Sequence, residues 1–307
     1  MLRLPSVHAA ARRLVLSIVA VALVAGCGGA AASPSATASD RPAPVDPTPV
    51  IATPSPIADG TYWLRMTTSQ AIPPVNLFAV APTAVIDGSG LYLVPGAVPA
   101  IYPGPLVMPL FGRQVSDKGR ETIIGWAKEL GLANGKTDYT GGSMVAGGVT
   151  GHIELTTASG RVTLTGLPDA TAPNPEPGSP QAFAELWQRI ANLPETLSGE
   201  LGAESPYTPQ AYALLVGPAP VPEGGMTQPI ADWPLDQPLA TFGGPVANGT
   251  YRCGTVEGDD AIMLGAAFAK ANQLTQWTQD PTTSATFGLT VRPIVTGENP
   301  CAEVFGQ

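Results

Sequence analysis

Beyond residue 59 the hydrophobic positions recur with two periods, and the change from one to the other separates strands from helices. Residues 61–66, TYWLRM, alternate bulky and polar side chains, as a half-buried strand does. Residues 83–94, TAVIDGSGLYLV, hold two β-rich runs around Asp87-Gly88-Ser89-Gly90, which predicts a hairpin with glycine supplying positive φ. A second hairpin is predicted over 152–167, HIELTTASGRVTLTGL, turning at Ser159-Gly160 with Ile153, Leu155, Val162 and Leu164 on one side. Residues 250–255 and 287–295 read as further strands. Residues 211–216, AYALLV, read as a strand, with a short buried helix left open by periodicity alone.

The longer period appears three times. Ser116 caps a run with Asp117 in the first turn and Ile123, Ile124, Ala127 and Leu130 on one face, and Gly131 is placed to end it. Ser179-Pro180 opens the second, whose stripe is Phe183, Leu186, Trp187 and Ile190, ending near Asn192. Gly258 or Asp259 opens the third, carrying Leu264, Phe268 and Ala271. Residues 94–112, VPGAVPAIYPGPLVMPLFG, carry too many prolines for a helix or a central strand and are expected to run as an extended edge or loop.

These elements predict an α+β fold of short antiparallel strands and hairpins with about three helices packed on them. The stretch 170–180, ATAPNPEPGSP, suggests an internal boundary. The expected organisation is an α+β subdomain over 59–168, a connection over 169–205 containing a helix at 180–192, and a second α+β subdomain over 206–307. Strand, valine (Val115 or Val256), acidic helix start, helix and strand follow one another in both halves. Two similar subdomains are therefore part of the expectation.

The pattern changes completely before residue 59. Residues 28–58 are Ala, Ser, Thr and Pro with almost nothing to bury, the composition of an extended, disordered stalk. Ahead of them, residues 11–27, ARRLVLSIVAVALVAGC, join two arginines to an apolar run too short to cross about 30 Å of hydrocarbon. That is the arrangement of an export signal. Its ending, Val24-Ala25-Gly26-Cys27, resembles the lipobox of bacterial lipoproteins, with Val24 where that family most often has leucine. The resemblance implies that residues 1–26 are removed, that the Cys27 thiol carries diacylglycerol, and that the chain is lipid-anchored to the outer face of the cell membrane or another envelope membrane. Arg12-Arg13 followed by Leu-Val-Leu partly matches a twin-arginine signal, and general secretion fits equally.

Charge and cysteine usage fit an exported chain. Removing the signal takes away Arg3, Arg12 and Arg13, leaving 12 basic against 24 acidic residues, a net charge of −12. Such a surface repels nucleic acid and anionic lipid headgroups, so no nucleic-acid partner is expected and the membrane is met through acyl chains. Besides Cys27 the chain has Cys253 and Cys301, an even pair that reads as a disulfide outside the cytosol. Only 13% of residues are charged, with 35 Gly and 34 Pro, which suits a body rich in turns.

Candidate chemistry is sparse. His8 leaves with the signal, so His152 is the single imidazole of the exported chain, and it heads a predicted strand with no Gly-x-Ser-x-Gly elbow anywhere. Packing is its expected role. Glu257-Gly258-Asp259-Asp260 lacks the alternation of a calcium loop and sits where a helix N-terminus favours negative charge. No metal or cofactor is expected. A paired-carboxylate hydrolase would draw on acids such as Glu154, Asp138, Asp232 or Glu257, and the sequence does not choose among them. Trp233, in ADWPLDQP, is expected to pack, though an exposed tryptophan beside prolines can serve as a sugar- or peptide-binding platform.

The pieces IYPGPL (101–106), YRCGT (251–255), ANQLTQW (271–277) and LTVRP (289–293) resemble segments of secreted lipoproteins of high-GC bacteria. That resemblance implies a shared fold from residue 59 onward and no catalytic residue. The expected function is a membrane-anchored, non-catalytic binding or scaffolding module of the cell envelope, meeting an envelope protein or glycan. The alternative is an extracytoplasmic carboxylate-dependent hydrolase acting on cell-wall or polysaccharide material.

Overall fold

The computed structural model describes residues 62–306 except 99, 143–147, 159, 222–224, 227 and 280–284. The expected signal, Cys27 and the stalk lie outside the described residues. Among those residues, no helix is long and apolar enough to cross a membrane.

Two mostly antiparallel sheets form the body. The first is assembled from β1 (Tyr62–Ser69), β2 (Ala84–Asp87), β3 (Leu91–Pro95), β4 (Leu110–Gln114), β5 (Asp138–Tyr139), β6 (Thr150–Thr157), β7 (Gly160–Gly166) and β8 (Ser205–Tyr207), in the order β5-β7-β6-β1-β2-β3-β4-β8. The second contains β9 (Ala211–Pro218), β10 (Ile230–Asp232), β11 (Gly244–Val246), β12 (Tyr251–Glu257), β13 (Gln276–Thr278) and β14 (Phe287–Pro293), in the order β10-β13-β14-β9-β12-β11. Six helices accompany them: α1 (Pro74–Phe78), α2 (Asp117–Glu129), α3 (Pro180–Ala191), α4 (Leu193–Thr196), α5 (Gly258–Phe268) and α6 (Pro300–Phe305). The α+β expectation therefore holds, with α2, α3 and α5 as the three long helices.

Alternate residues on the strands point to opposite sides, and each sheet carries hydrophobic clusters on both faces. Leu64, Met66, Ile86, Ile153, Leu155 and Leu164 face α2 and α3, meeting Ile123, Phe183, Trp187 and Ile190. The helix placed in the expected connection, 180–192, thus packs on the first sheet. Val85, Leu93 and Leu110 point the other way, toward Val295. In the second sheet Leu214, Val216, Leu289 and Val291 face Leu264 and Phe268 of α5, while Ala213, Leu215 and Cys253 face Phe78 of α1 and Cys301 of α6.

Local chemistry explains the element ends. The Ser116 hydroxyl accepts from the Gly119 N–H at 3.0 Å and starts α2. Gly131, at φ +67°, ends the helical run, and a Cβ there would lie 2.9 Å from the Gly178 nitrogen. Ser179 caps α3 by accepting from the Ala182 N–H at 3.1 Å. Gly151 and Gly166, paired across β6 and β7, make room for this helix. A Cβ on Gly166 would sit 2.4 Å from the Phe183 ring, and one on Gly151 would sit 2.7 Å from the Trp187 ring.

The end of the proline-rich stretch departs from expectation. Leu110–Gln114 is an inner strand between β3 and β8, not an edge or loop. Pro109 precedes it by one residue, so no ladder N–H is missing within it. The 211–216 run is strand, in the middle of its sheet.

The two halves share a three-strand centre. In each, the first strand (β1 or β9) lies between a strand that precedes the long helix (β2 or β12) and one that follows it (β6 or β14), both antiparallel to it. The difference is that α5 follows β12 directly, whereas β3 and β4 intervene before α2.

Candidate functional site

A cluster of charged groups forms where the polar face of β1, β6 and β7 meets α6. Register builds this face. Arg65 lies opposite Glu154, Thr67 opposite His152, and His152 opposite Thr165 on the far side. These residues alternate with Leu64, Met66, Ile153 and Leu155, so burying one face of the strands collects the polar set on the other. A register shift between Tyr62 and Leu64 moves Tyr62 onto the Arg65 face. There the Tyr62 hydroxyl donates to Glu154 Oε2 at 2.9 Å, and the Arg161 guanidinium lies 4.1 Å from the centre of its ring. Burial, then the Glu154 carboxylate, raises the Tyr62 pKa.

The C-terminal segment supplies the partners. Arg65 Nη2 lies 2.5 Å from Glu303 Oε2 and 3.5 Å from Glu298 Oε1, and its Nη1 lies 3.8 Å from Glu154 Oε2. Arg292, on β14, donates to the same Glu298 oxygen, and the Val295 N–H donates to the other at 3.1 Å. The Glu298 side chain has no exposed surface. Burial raises its pKa against the pull of both arginines. Burial also opposes ionisation of Glu303, but the hydrogen bond and charge of Arg65 outweigh it and hold that carboxyl below its ordinary range. Cys301, between these two acids, is bonded to Cys253 of β12 with their Cα atoms 5.8 Å apart. The expected disulfide is present, and it fixes the segment that carries both carboxylates.

A cleft of about 150 Å³ opens beside this network, lined by Arg65, Thr67, Ser69, His152, Arg292 and Glu303 among others. The imidazole spans it. His152 Nε2 is 3.0 Å from Ser69 Oγ, and Nδ1 is 3.2 Å from Thr165 Oγ1. Burial lowers the His152 pKa, with Glu154 opposing, which keeps the ring neutral near pH 7. A serine hydroxyl on one ring nitrogen is half of a nucleophile-base pair. The other nitrogen meets a threonine hydroxyl where a triad places a carboxylate that would stabilise imidazolium. Asp138 lies opposite Thr165 on β5, but its carboxylate accepts from the Thr140 N–H and hydroxyl at 2.8 Å each.

The other candidate acids do not join this cluster. Asp232 and Glu257 are exposed, on β10 and at the end of β12. Asp259 and Asp260 occupy the first turn of α5, where the helix dipole favours them. Among the described residues no group of three or more His, Cys, Asp or Glu could hold a metal ion. Trp233 is buried, packs edge-on against Trp277 and Phe242, and donates its N–H to the Gln237 carbonyl at 2.9 Å. Its surface is spent on the core.

Nothing in the sequence marks Arg65 or Arg292 as a member of a network. Arg65 alternates correctly with apolar neighbours and reads as the wet side of a strand. The available signal is Asn299-Pro300, the same cap-and-proline start as Ser179-Pro180, which places a helix and Glu303 just beyond Glu298.

No family model matches the chain, and neither a curated protein nor a solved structure matches it.

Proposed function

We propose that the protein is an exported lipoprotein, anchored through Cys27, whose body is a non-catalytic binding or scaffolding module of the cell envelope. The observation that carries the non-catalytic reading is the state of the buried acids. Burial raises the Glu298 pKa, the direction an acid catalyst requires, yet its side chain is sealed from solvent between two arginines, out of a substrate's reach. Glu303 is held ionised by Arg65, and Glu154 is engaged by Tyr62 and Arg65. These carboxylates join sheets and terminus. The lipobox ending and the acidic exported chain support the location and argue for an envelope protein or glycan as partner.

One observation favours a second reading, a serine hydrolase built on Ser69 and His152, because their side chains lie 3.0 Å apart at the cleft. A single preparation tests both. Cells fed labelled palmitate should yield a labelled, membrane-bound protein, and Cys27→Ala should lose the label and fail to mature normally. Absence of label on the wild type overturns the anchor. The same protein should not react with a fluorophosphonate probe. Reaction that disappears in Ser69→Ala would overturn the non-catalytic reading.

A further inference from the structure

We propose that a cavity between α2 and the β6–β7 hairpin binds a single acyl chain carrying an anionic head, with the Lys128 ammonium at its mouth. The inference rests on the binding-module reading and names the ligand class for it.

The cavity has a volume of about 430 Å³, inside the ~300–1,000 Å³ span of small-molecule sites. Leu155, Val162 and Leu164 form its sheet wall, and Ile124 and Ala127 form its helix wall. Leu132 closes it from the segment that follows α2. Leu132, Leu155 and Leu164 are only 1%, 4% and 2% exposed and belong to the core of the first sheet, so the space reaches into the hydrophobic interior. Ala127 lines it with a small side chain. Along the helix face that carries Ile123 and Leu130, this position contributes a single methyl group.

The mouth selects the head group. Lys128 is exposed and lines the opening, and no acidic residue does. Its neighbour Glu129 pairs with Arg189 at 3.6 Å, and Lys128 takes part in none of the ion pairs among the described residues. The Thr157 and Ala158 end of the hairpin completes the rim. An apolar hollow with one cation at its entrance excludes a polar solute, which would leave its hydrogen bonds unmade inside. It also repels a cationic amphiphile. A free fatty acid and an acidic single-chain lipid share the matching chemistry.

The test is calorimetric titration of the whole exported chain carrying Cys27→Ala, so that no acyl group of its own competes. Three probes are used below their micellar concentrations: palmitate, lysophosphatidylglycerol and dodecyltrimethylammonium. Palmitate or the lysolipid should bind one to one, and their relative affinity tells a free acid from a lipid chain. The cation should bind more weakly. Across saturated fatty acids, each methylene removed should weaken binding about fourfold. Ala127→Phe, which fills the cavity, should abolish binding while the circular dichroism spectrum is kept. Lys128→Glu, at an exposed position that does not threaten folding, should cost the anions roughly fivefold and favour the cation. Failure of both anionic probes to bind overturns the inference, as does affinity that ignores chain length or an unchanged response in Lys128→Glu. Failure here leaves palmitate labelling of Cys27 untouched, so the anchor is judged separately.

Discussion

Arg292 is held 4% exposed and Glu298 has no exposed side-chain surface, so each depends on the other to offset the loss of water. Removing one partner of such a pair leaves an uncompensated buried charge, which costs about 3–5 kcal/mol. Arg292→Met should therefore destabilise the protein by up to that amount, because Arg65 still faces Glu298 at 3.5 Å, and adding Glu298→Gln should recover part of it. Urea unfolding of the two single variants and the double variant measures the coupling, and additive losses would show that the pair is not the unit. At this scale the sequence was least informative. Arginine and glutamate look alike whether solvated or buried, and what buries these is the arrival of α6. Cys253 and Cys301 were legible because an even pair of cysteines is read as a disulfide. Ser69 was not, because its partner lies 83 positions away on another strand.

Elements were more readable than residues wherever a local rule sufficed. Both hairpins and all three long helices follow from alternation and helical periodicity, helped by the serine caps of α2 and α3 and by Gly131 after α2, which act within a few residues. The misses share a cause. The strand Leu110–Gln114 follows a proline-rich run and is fixed by pairing with β3 and β8. Helices α1 and α6 are only five and six residues long, and packing against the second sheet holds them where propensity alone would not. The disulfide secures α6 more firmly than its length could. Closing a loop of 48 residues stabilises the fold by about 4 kcal/mol in the chain-entropy estimate. Cys253→Ser/Cys301→Ser should lose up to that amount in denaturant titrations. Amide exchange should quicken over residues 298–305 well before it does in β9. Equal protection in both would show that the bond is not what holds the helix.

For the whole molecule, the sequence suggested two subdomains and the structure joins them at several points. Phe78, from the first half, packs on Ala213 and Leu215 of the second sheet, and Val295 packs beneath the first. Arg65 reaches Glu298 and Glu303 across the same seam. Halves sharing buried charges and cores should melt together. Calorimetry should give one transition whose van't Hoff and calorimetric enthalpies agree. Two resolved transitions would show that each sheet stands alone.

The pairing of Arg65 with Glu303, 238 positions later, also sets a timetable. A chain is synthesised from its N-terminus, so β1 emerges first with its arginine unmatched. Glu154 comes next, and the closest carboxylate arrives only with α6. Until then the central strand of the first sheet carries a cation that cannot be buried without cost. A polypeptide cut short anywhere before α6 therefore lacks the nearest carboxylate to Arg65 and leaves that seam open.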